Sequence, residues 1–427
     1  MIYSRLIVQF ALIGVTSLCH AETIVPPLWL QKDDNVKTVQ WLRHGEPIQW
    51  AVTDMNFLSP LTLSFDIIED ISTGEIDTPW LRARLLHRNF DWTPDGLFEN
   101  EYLDGFNIAD IGRGEPAVPG LTTVDYNHYE VDLSKLGLNP KISGNFILEI
   151  FDETNPDKTI LSVPFMIEEQ NSNIFGTVSG ITDRDFKAGH QQLKLDIDVK
   201  EIDPRVHRQD MKIVAGQNNS PTTWRVLPFP DQVMNGRLSF NHSSELIFDA
   251  GNEYRRFETT NNQYPGMNVE KVAWIDPFYH HLLEIDQPRF DKNYLFDYTQ
   301  NGRFKIATFE NNDPSLAADY VVVHFFLDLP RQTKPVYIEG DFTGRELSPS
   351  NIMHWDATNQ LYTKSFLLKQ GSYNYKYITE EDYAGSNQLE GNFSDTDNLY
   401  NVAVYYLVPG ERTHRLSSAA IVNTNQH

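Results

Sequence analysis

The chain has 427 residues, of which 59 are Asp or Glu and 35 are Lys or Arg, so its formal net charge is −24 at pH 7. A hydrophobic fraction of 40% is enough to build buried cores, and the ordinary usage of Gly and Pro excludes a collagen-like chain. A surface this acidic repels phosphate backbones and anionic lipid headgroups, which argues against a nucleic-acid-binding or polybasic membrane-binding protein.

Residues 1–21 have the pattern of a signal peptide. Arg5 precedes an apolar run over residues 6–18, and Cys19 and Ala21 place small residues at the −3 and −1 positions of a cleavage site after Ala21. The run is too short for a stable membrane span. The alternative is a lipoprotein signal acylated at Cys19, against which the bulky Leu18 argues. Cleavage after Ala21 leaves 34 basic and 59 acidic residues and no cysteine, hence a net charge of −25 and an exported protein without disulfides.

The periodic segments of the mature chain alternate with period two, which is typical of β-strands. Residues 61–67 and 193–200 alternate apolar and polar side chains, which predicts strands with one buried and one wet face. Residues 320–329 are apolar on both faces, which predicts a central strand buried on both sides. Tyr residues 373, 375 and 377 share one face of a further strand. The sequence therefore predicts an all-β fold of tandem immunoglobulin-like or early-set β-sandwich domains.

Polar, turn-rich stretches between these strands divide the mature chain into three predicted units. The first spans residues 28–167, the second 174–309 and the third 318–408. The polar residues 409–427 are expected to form a mobile tail.

The sequence contains no motif that points to catalysis. It has no phosphate-binding glycine loop, no HExxH and no G-x-S-x-G. His280 and His281 would point to opposite faces of a strand and cannot both bind one metal ion. The acidic residues 152–157 and 395–398 are better explained as turns than as calcium loops. We therefore predict no catalytic residue, no metal site, no cofactor and no enzymatic activity.

Aromatic residues carry more information, because the chain is 12% aromatic and several rings cluster outside simple strand patterns. The cluster contains Phe90, Trp92, Phe98, Tyr102 and Phe106. Such rings can stack on sugars or anchor a protein interface, although an all-β core is also rich in aromatic residues.

Eight short blocks, in order and in register, resemble a known family. They are residues 91–92 (DW), 101–106 (EYLDGF), 126–129 (YNHY), 143–148 (SGNFIL), 216–218 (GQN), 251–257 (GNEYRRF), 318–321 (ADYV) and 368–375 (LKQGSYNY). Their order and spacing, from about residue 36 to 416, resemble the plug protein family of the type IX secretion system.

The resemblance implies a non-enzymatic protein of the periplasm, associated with the inner face of the outer membrane. There it would close the periplasmic opening of a large β-barrel protein translocon, with no nucleic-acid partner, no direct membrane insertion and a monomeric state when free. Seven residues of the matching blocks are candidates for the partner interface: Trp92, Tyr102, Phe106, Tyr126, Tyr129, Asn252 and Arg255. Tyr126 and Tyr129 are alternatively candidates for a tyrosine corner that supports a sandwich.

The third unit resembles a second family. Residues 336–342 (VYIEGDF), Met353 and residues 368–377 are similar to early-set immunoglobulin-like modules related to glycogen-binding domains. The alternative function is therefore an exported glycan-binding protein of the cell envelope. Trp355 is the sole tryptophan of this unit, so a stacking platform of two tryptophans is absent, and shared architecture without sugar binding is the preferred interpretation.

Overall fold

A computed structural model of the chain describes residues 31–57, 60–68, 80–111, 117–120, 122–202, 206, 208–309, 313–345, 347–380, 382 and 387–424. The predicted signal peptide, which contains Cys19, lies outside the described residues. The predicted cleavage site after Ala21 also lies outside them.

The strands follow one another along the whole described chain. The first group is β1 (Gln31–Lys32), β2 (Val36–Arg43), β3 (Glu46–Pro47), β4 (Val52–Asp54), β5 (Thr62–Ile68), β6 (Leu81–Arg88), β7 (Leu103–Asp104), β8 (Ala109–Asp110), β9 (Tyr126–Asp132), β10 (Asn139–Pro140), β11 (Gly144–Asp152) and β12 (Asn155–Glu168). The second group is β13 (Asn173–Ser179), β14 (His190–Asp198), β15 (Met211–Gln217), β16 (Arg225–Val226), β17 (Gln232–Met234), β18 (Arg237–Phe240) and β19 (Ile247–Asp249). The third group is β20 (Arg255–Glu258), β21 (Val269–Ile275), β22 (Phe278–Asp286), β23 (Phe304–Ile306), β24 (Tyr320–Leu327), β25 (Val336–Glu339), β26 (His354–Asp356), β27 (Leu361–Lys369), β28 (Gly371–Thr379), β29 (Leu399–Tyr406) and β30 (Arg415–Asn423).

In the part of the chain that the structure describes, helical structure is confined to single turns. The α-helical turns are α1 (Glu99–Tyr102) and α2 (Pro314–Ala317), and short 3-10 turns lie at Leu133–Lys135, Arg208–Asp210, Ser244–Leu246, Asp341–Thr343 and Pro349–Asn351. The predicted all-β class is confirmed.

The first sandwich packs two sheets face to face. One sheet has the order β1-β12-β11-β6-β8, with β4 beside β12, and the other has the order β3-β2-β5-β9. Apolar side chains of β5 and β11 meet between them, including Phe65 and Phe146, both of which are fully buried. A pair of short strands, β7 and β10, closes one side.

The middle sandwich contains strands from two distant parts of the chain. Its first sheet has the order β13-β14-β18-β17, with β19 beside β14, and its second has the order β16-β15-β29-β30. The core between them joins Leu195 and Phe240 of the first sheet to Tyr400 and Val402 of the second.

The third sandwich is built within the gap between those two parts. One sheet has the order β20-β28-β23, with β25 beside β28, and the other has the order β21-β22-β24-β27-β26. Phe257, Phe325 and Tyr373 pack together in its core, and Tyr375 and Tyr377 are buried on the same side of β28, as the alternation predicts.

The predicted limits of the second and third units, and the predicted tail, are wrong. β15 pairs with β29 from Met211↔Tyr406 to Gln217↔Tyr400, while β20 pairs with β28. The middle sandwich is therefore interrupted by the third one, an arrangement that hydrophobic periodicity cannot reveal. Residues 415–423 form β30 along the edge of β29, where Leu416 is 0% exposed, so this part of the tail belongs to a core.

The prediction of one wet face for residues 61–67 is also wrong. Ser64 and Asp66, on the polar side of β5, are 6% and 0% exposed. The reason is that the third sandwich covers this face: Lys369 donates to Asp66 Oδ2 at 2.7 Å, and the Tyr320 hydroxyl donates to the same oxygen at 2.7 Å. Two sandwiches thus share a buried ion pair, for which the sequence has no local signature.

Candidate interaction surface

Trp92 lies in a tight turn after β6. Its backbone φ is 66°, and its amide donates to the Asn89 carbonyl at 2.9 Å. The half-buried ring packs against a cluster that includes Trp50 and Phe90 of the first sandwich and Trp224 of the middle one. Trp92 therefore supports the joint between two sandwiches rather than presenting a surface.

Tyr126 and Tyr129 are also structural. Tyr126 is fully buried, and its hydroxyl donates to the Ala318 carbonyl at 2.9 Å and to the Ser315 carbonyl at 3.1 Å. Because these acceptors lie just before β24 of the third sandwich, Tyr126 joins two sandwiches, and its assignment to a tyrosine corner is wrong. Tyr129 is half-buried and stacks on Phe65 with ring centroids 5.1 Å apart.

Asn252 and Arg255 belong to a buried polar network at the end of the third sandwich. Asn252 Nδ2 donates to the Glu390 carbonyl at 2.9 Å. Arg255 Nε donates to Glu390 Oε1 at 3.0 Å, and its Nη1 donates to Asp286 Oδ1 at 2.7 Å. Arg289 Nε donates to Glu390 Oε2 at 2.7 Å, so one carboxylate holds two guanidinium groups.

This network should make the third sandwich sensitive to acid. Burial by itself raises the pKa of Glu390, but the charges of Arg255 and Arg289 outweigh it and lower the pKa to about 2. Because the folded pKa lies below the unfolded value, the ionised carboxylate stabilises the fold at neutral pH, and this contribution of about 3 kcal/mol is lost as the pH falls from about 5 towards 2. We expect the midpoint of thermal denaturation of the wild-type chain to fall as the pH is lowered through this window. The midpoint of Glu390→Gln should already be lower than that of the wild-type chain at pH 7, and it should fall less in acid.

The exposed Glu284 on β22 offers the matched control. Glu284→Gln should leave both the midpoint at pH 7 and its decline in acid unchanged. Equal pH profiles for Glu390→Gln and the wild-type chain would contradict this role of the network.

Tyr102 anchors a segment that crosses the edge of β6. Its hydroxyl donates to the Leu85 carbonyl at 3.0 Å, and its ring is 4% exposed. Asn107 completes the attachment, since its Oδ1 accepts from the Leu85 amide at 2.8 Å and its Nδ2 donates to the Leu85 carbonyl at 2.8 Å. These bonds satisfy the backbone groups of Leu85 in β6, at a position that β8 does not reach. They also fix residues 98–108, which we call the aromatic loop.

The aromatic loop presents apolar side chains to solvent. Phe106 is 92% exposed, Phe98 is 73% exposed and Ile108 is 56% exposed. Asn107 points inwards between Phe106 and Ile108, so the alternation of an extended segment turns its two neighbours outwards. These three exposed apolar side chains make the aromatic loop the candidate interaction surface. Ile108 escapes sequence reasoning because an isolated isoleucine has no periodic signature.

Of the seven candidate residues, Phe106 therefore lies at an exposed surface, whereas Tyr102 holds that surface in place. Trp92, Tyr126, Tyr129, Asn252 and Arg255 lie in the interior or at joints between sandwiches. The seven do not form one contiguous site.

The acidic residues 152–157 and the His280–His281 pair lie in a turn and on a strand. Within the described ranges, no group of three or more His, Cys, Asp or Glu side chains is placed to hold a metal ion. Asp152 Oδ1 accepts from the Thr154 amide at 2.9 Å, which makes the predicted turn. His281 is fully buried, whereas His280 stacks on His324 on the outer face of the sheet.

Residues 36–169, which contain the aromatic loop, match the family model of the first domain of the type 9 secretion system plug protein. These residues belong to the family of type 9 secretion system plug protein first domains. A crystal structure of a hypothetical protein from Parabacteroides merdae ATCC 43184 is similar over 93% of this chain and 100% of that one, with 31% identity and a TM-score of 0.86. No curated protein matches the chain.

Membership of this family implies a role in type IX secretion, association with the secretion machinery and a location in the cell envelope. The family is a non-catalytic one. The described residues contain no helix that is long and apolar enough to cross a membrane. The early-set assignment of the third sandwich stays a prediction.

Proposed function

We propose that this protein is a periplasmic plug that closes the opening of a large outer-membrane β-barrel translocon of type IX secretion. The observation that supports this most directly is the aromatic loop, because it lies within the plug domain that the family model matches. Phe98, Phe106 and Ile108 supply the apolar contacts by which the plug binds the periplasmic rim of the barrel.

A plug must resist deformation, and the connections between the sandwiches favour this role. The first and third sandwiches share the buried pair Asp66 and Lys369, and the Tyr405 hydroxyl donates to Asn145 Oδ1 at 2.8 Å between the middle and first sandwiches. The chain also passes from the middle sandwich to the third and back again. Two covalent connections and buried polar contacts restrain hinge motion between the units.

Conductance of the translocon tests the proposal. The purified barrel, reconstituted in a planar bilayer, should show a large conductance that the wild-type mature protein closes from one side. Phe98→Ser/Phe106→Ser should close it with about 30-fold weaker affinity, since the loss of two exposed aromatic anchors costs about 2 kcal/mol in binding. Both side chains are exposed, so the thermal midpoint of the variant should be unchanged.

The matched control replaces two exposed phenylalanines of the middle sandwich, Phe186 and Phe229, which are 72% and 81% exposed. Phe186→Ser/Phe229→Ser should close the channel as the wild-type protein does. An open channel in the presence of wild-type protein would refute the plug function. Normal closure by Phe98→Ser/Phe106→Ser would instead refute the assignment of the aromatic loop as the docking surface.

A further inference from the structure

A cavity of about 610 Å³ lies between the first and third sandwiches. On one side it is lined by the start of β2 and the residues before it, and on the other by β27 and the segment that follows β25. Its volume is in the range of pockets that hold small molecules.

The charge of this cavity is opposite to that of the molecule. Its described lining contains four lysines, Lys32, Lys37, Lys364 and Lys369, and two aspartates, Asp34 and Asp341, although acidic residues far outnumber basic ones in the whole chain. Lys369 is paired with Asp66 beneath the cavity, and Asp341 accepts from Arg345. Asp34 is exposed and attracts Lys32 and Lys37.

Lys32 and Lys37 repel each other, and burial removes hydration from all four lysines. Burial and the neighbouring charge of Lys37 lower the pKa of Lys32 to about 8, in spite of the opposing attraction of Asp33 and Asp34. Burial also lowers the pKa of Lys37 and of Lys364. A bound anion would relieve both the repulsion and the loss of hydration, because it supplies the opposite charge at short range.

The side chains that accompany these lysines indicate which anion fits. The lining contains no arginine among its described residues, and arginine is the residue that best matches a planar carboxylate. Lysine binds phosphate as a point charge, and the Ser348 hydroxyl in the lining adds a donor to phosphate oxygens. Thr343 instead donates to the Gly340 carbonyl at 2.9 Å, and Ser350 donates to Ser348 Oγ at 3.0 Å. The rings of Phe342 and Phe366 also line the cavity and can pack against the non-ionic part of a ligand.

We propose that this cavity binds a phosphate monoester, with Lys37 and Lys364 as its principal cationic contacts. The phosphate belongs either to a small soluble molecule or to a lipid headgroup, and the same lysines serve both. The proposal does not depend on plug activity, since it rests on a cavity away from the aromatic loop.

Calorimetric titration of the wild-type mature chain with glucose 6-phosphate tests the soluble source, and flotation with phosphatidic acid vesicles tests the lipid source. We expect saturable binding to at least one probe, weakening with added salt. Lys37→Gln/Lys364→Gln should raise the Kd at least tenfold. Lys271→Gln/Lys292→Gln changes the net charge by the same amount as Lys37→Gln/Lys364→Gln, but at exposed positions of the third sandwich. This control variant should leave the Kd unchanged.

Acetylation of the wild-type protein offers a measurement without variants. Saturating probe should protect Lys37 and Lys364 from an amine-reactive reagent and leave Lys271 and Lys292 unprotected, as read by mass spectrometry. The proposal is overturned if neither probe binds, if both double variants lose affinity equally, or if the probe protects none of the cavity lysines.

Discussion

A chain that ends at residue 409 is expected to lose the folded middle sandwich. The truncation removes β30, which pairs with β29 from Leu399↔Asn423 to Tyr406↔Arg415. It also removes Leu416 and Val422, which are 0% and 5% exposed, each contributing about 1.5–3 kcal/mol by burial. β29 would then lose its hydrogen-bonded neighbour along one edge, while β15 still pairs with the other edge. The total loss is comparable with the whole stability of a domain, about 5–15 kcal/mol.

The effect extends to the neighbouring sandwich. Leu416 packs in the cluster between the first and middle sandwiches, and its carbonyl accepts from the Glu169 amide at 3.1 Å. Limited proteolysis should therefore cleave the shortened chain within the middle sandwich, and calorimetry should show a transition missing. A chain that ends at residue 424 retains β30 and is the matched control. An unchanged melting profile for the chain ending at 409 would show that β30 is dispensable.

Lys369→Met is expected to destabilise the protein by about 3–5 kcal/mol, because it leaves the charge of Asp66 buried without its cation. Lys369 is 1% exposed and Asp66 is 0% exposed, so water cannot replace the lost partner. The Tyr320 hydroxyl and His128 Nδ1, which also contact Asp66 at 2.7 Å and 2.6 Å, compensate only in part. Chemical denaturation, followed by tryptophan fluorescence, measures the loss.

Two further variants separate the buried charge from other causes. Asp66→Asn/Lys369→Met removes both charges and should recover at least half of the loss. Lys305→Met breaks the exposed pair with Glu46, at 2.6 Å across the same two sandwiches, and should cost less than about 1 kcal/mol. If the double variant is as unstable as Lys369→Met, lost packing rather than unpaired charge explains the effect.

Strand positions could be predicted because side-chain alternation is a local property. β14 shows the agreement: Leu193, Leu195 and Ile197 are buried, while Lys194 and Asp196 remain half-buried. The same reasoning fails for β5, where Asp66 has the sequence pattern of a solvent-facing residue. Its burial depends on Lys369, which lies about 300 residues later in the chain.

In the candidate site too, the sequence identified the residues but tertiary contacts decided which of them face solvent. Within the blocks that resemble a family, the sequence does not distinguish an aromatic residue that stabilises a core from one that faces a partner. Tyr102 and Phe106 lie four residues apart, yet one is buried with its hydroxyl bonded to Leu85 and the other is 92% exposed. The direction of each side chain is set by how the loop is fixed to β6, which is a tertiary contact.

By itself, the sequence determined the all-β class, the positions of the few strands with clear alternation and the family resemblance, because alternation and ordered motifs are encoded along the chain. The tertiary structure alone decided that β29 and β30 complete the middle sandwich, that Phe106 rather than Trp92 or Tyr126 faces solvent, and that lysines from two sandwiches share one cavity. The physical reason is that each of these features depends on pairing or burial between residues far apart in sequence, which local periodicity does not specify.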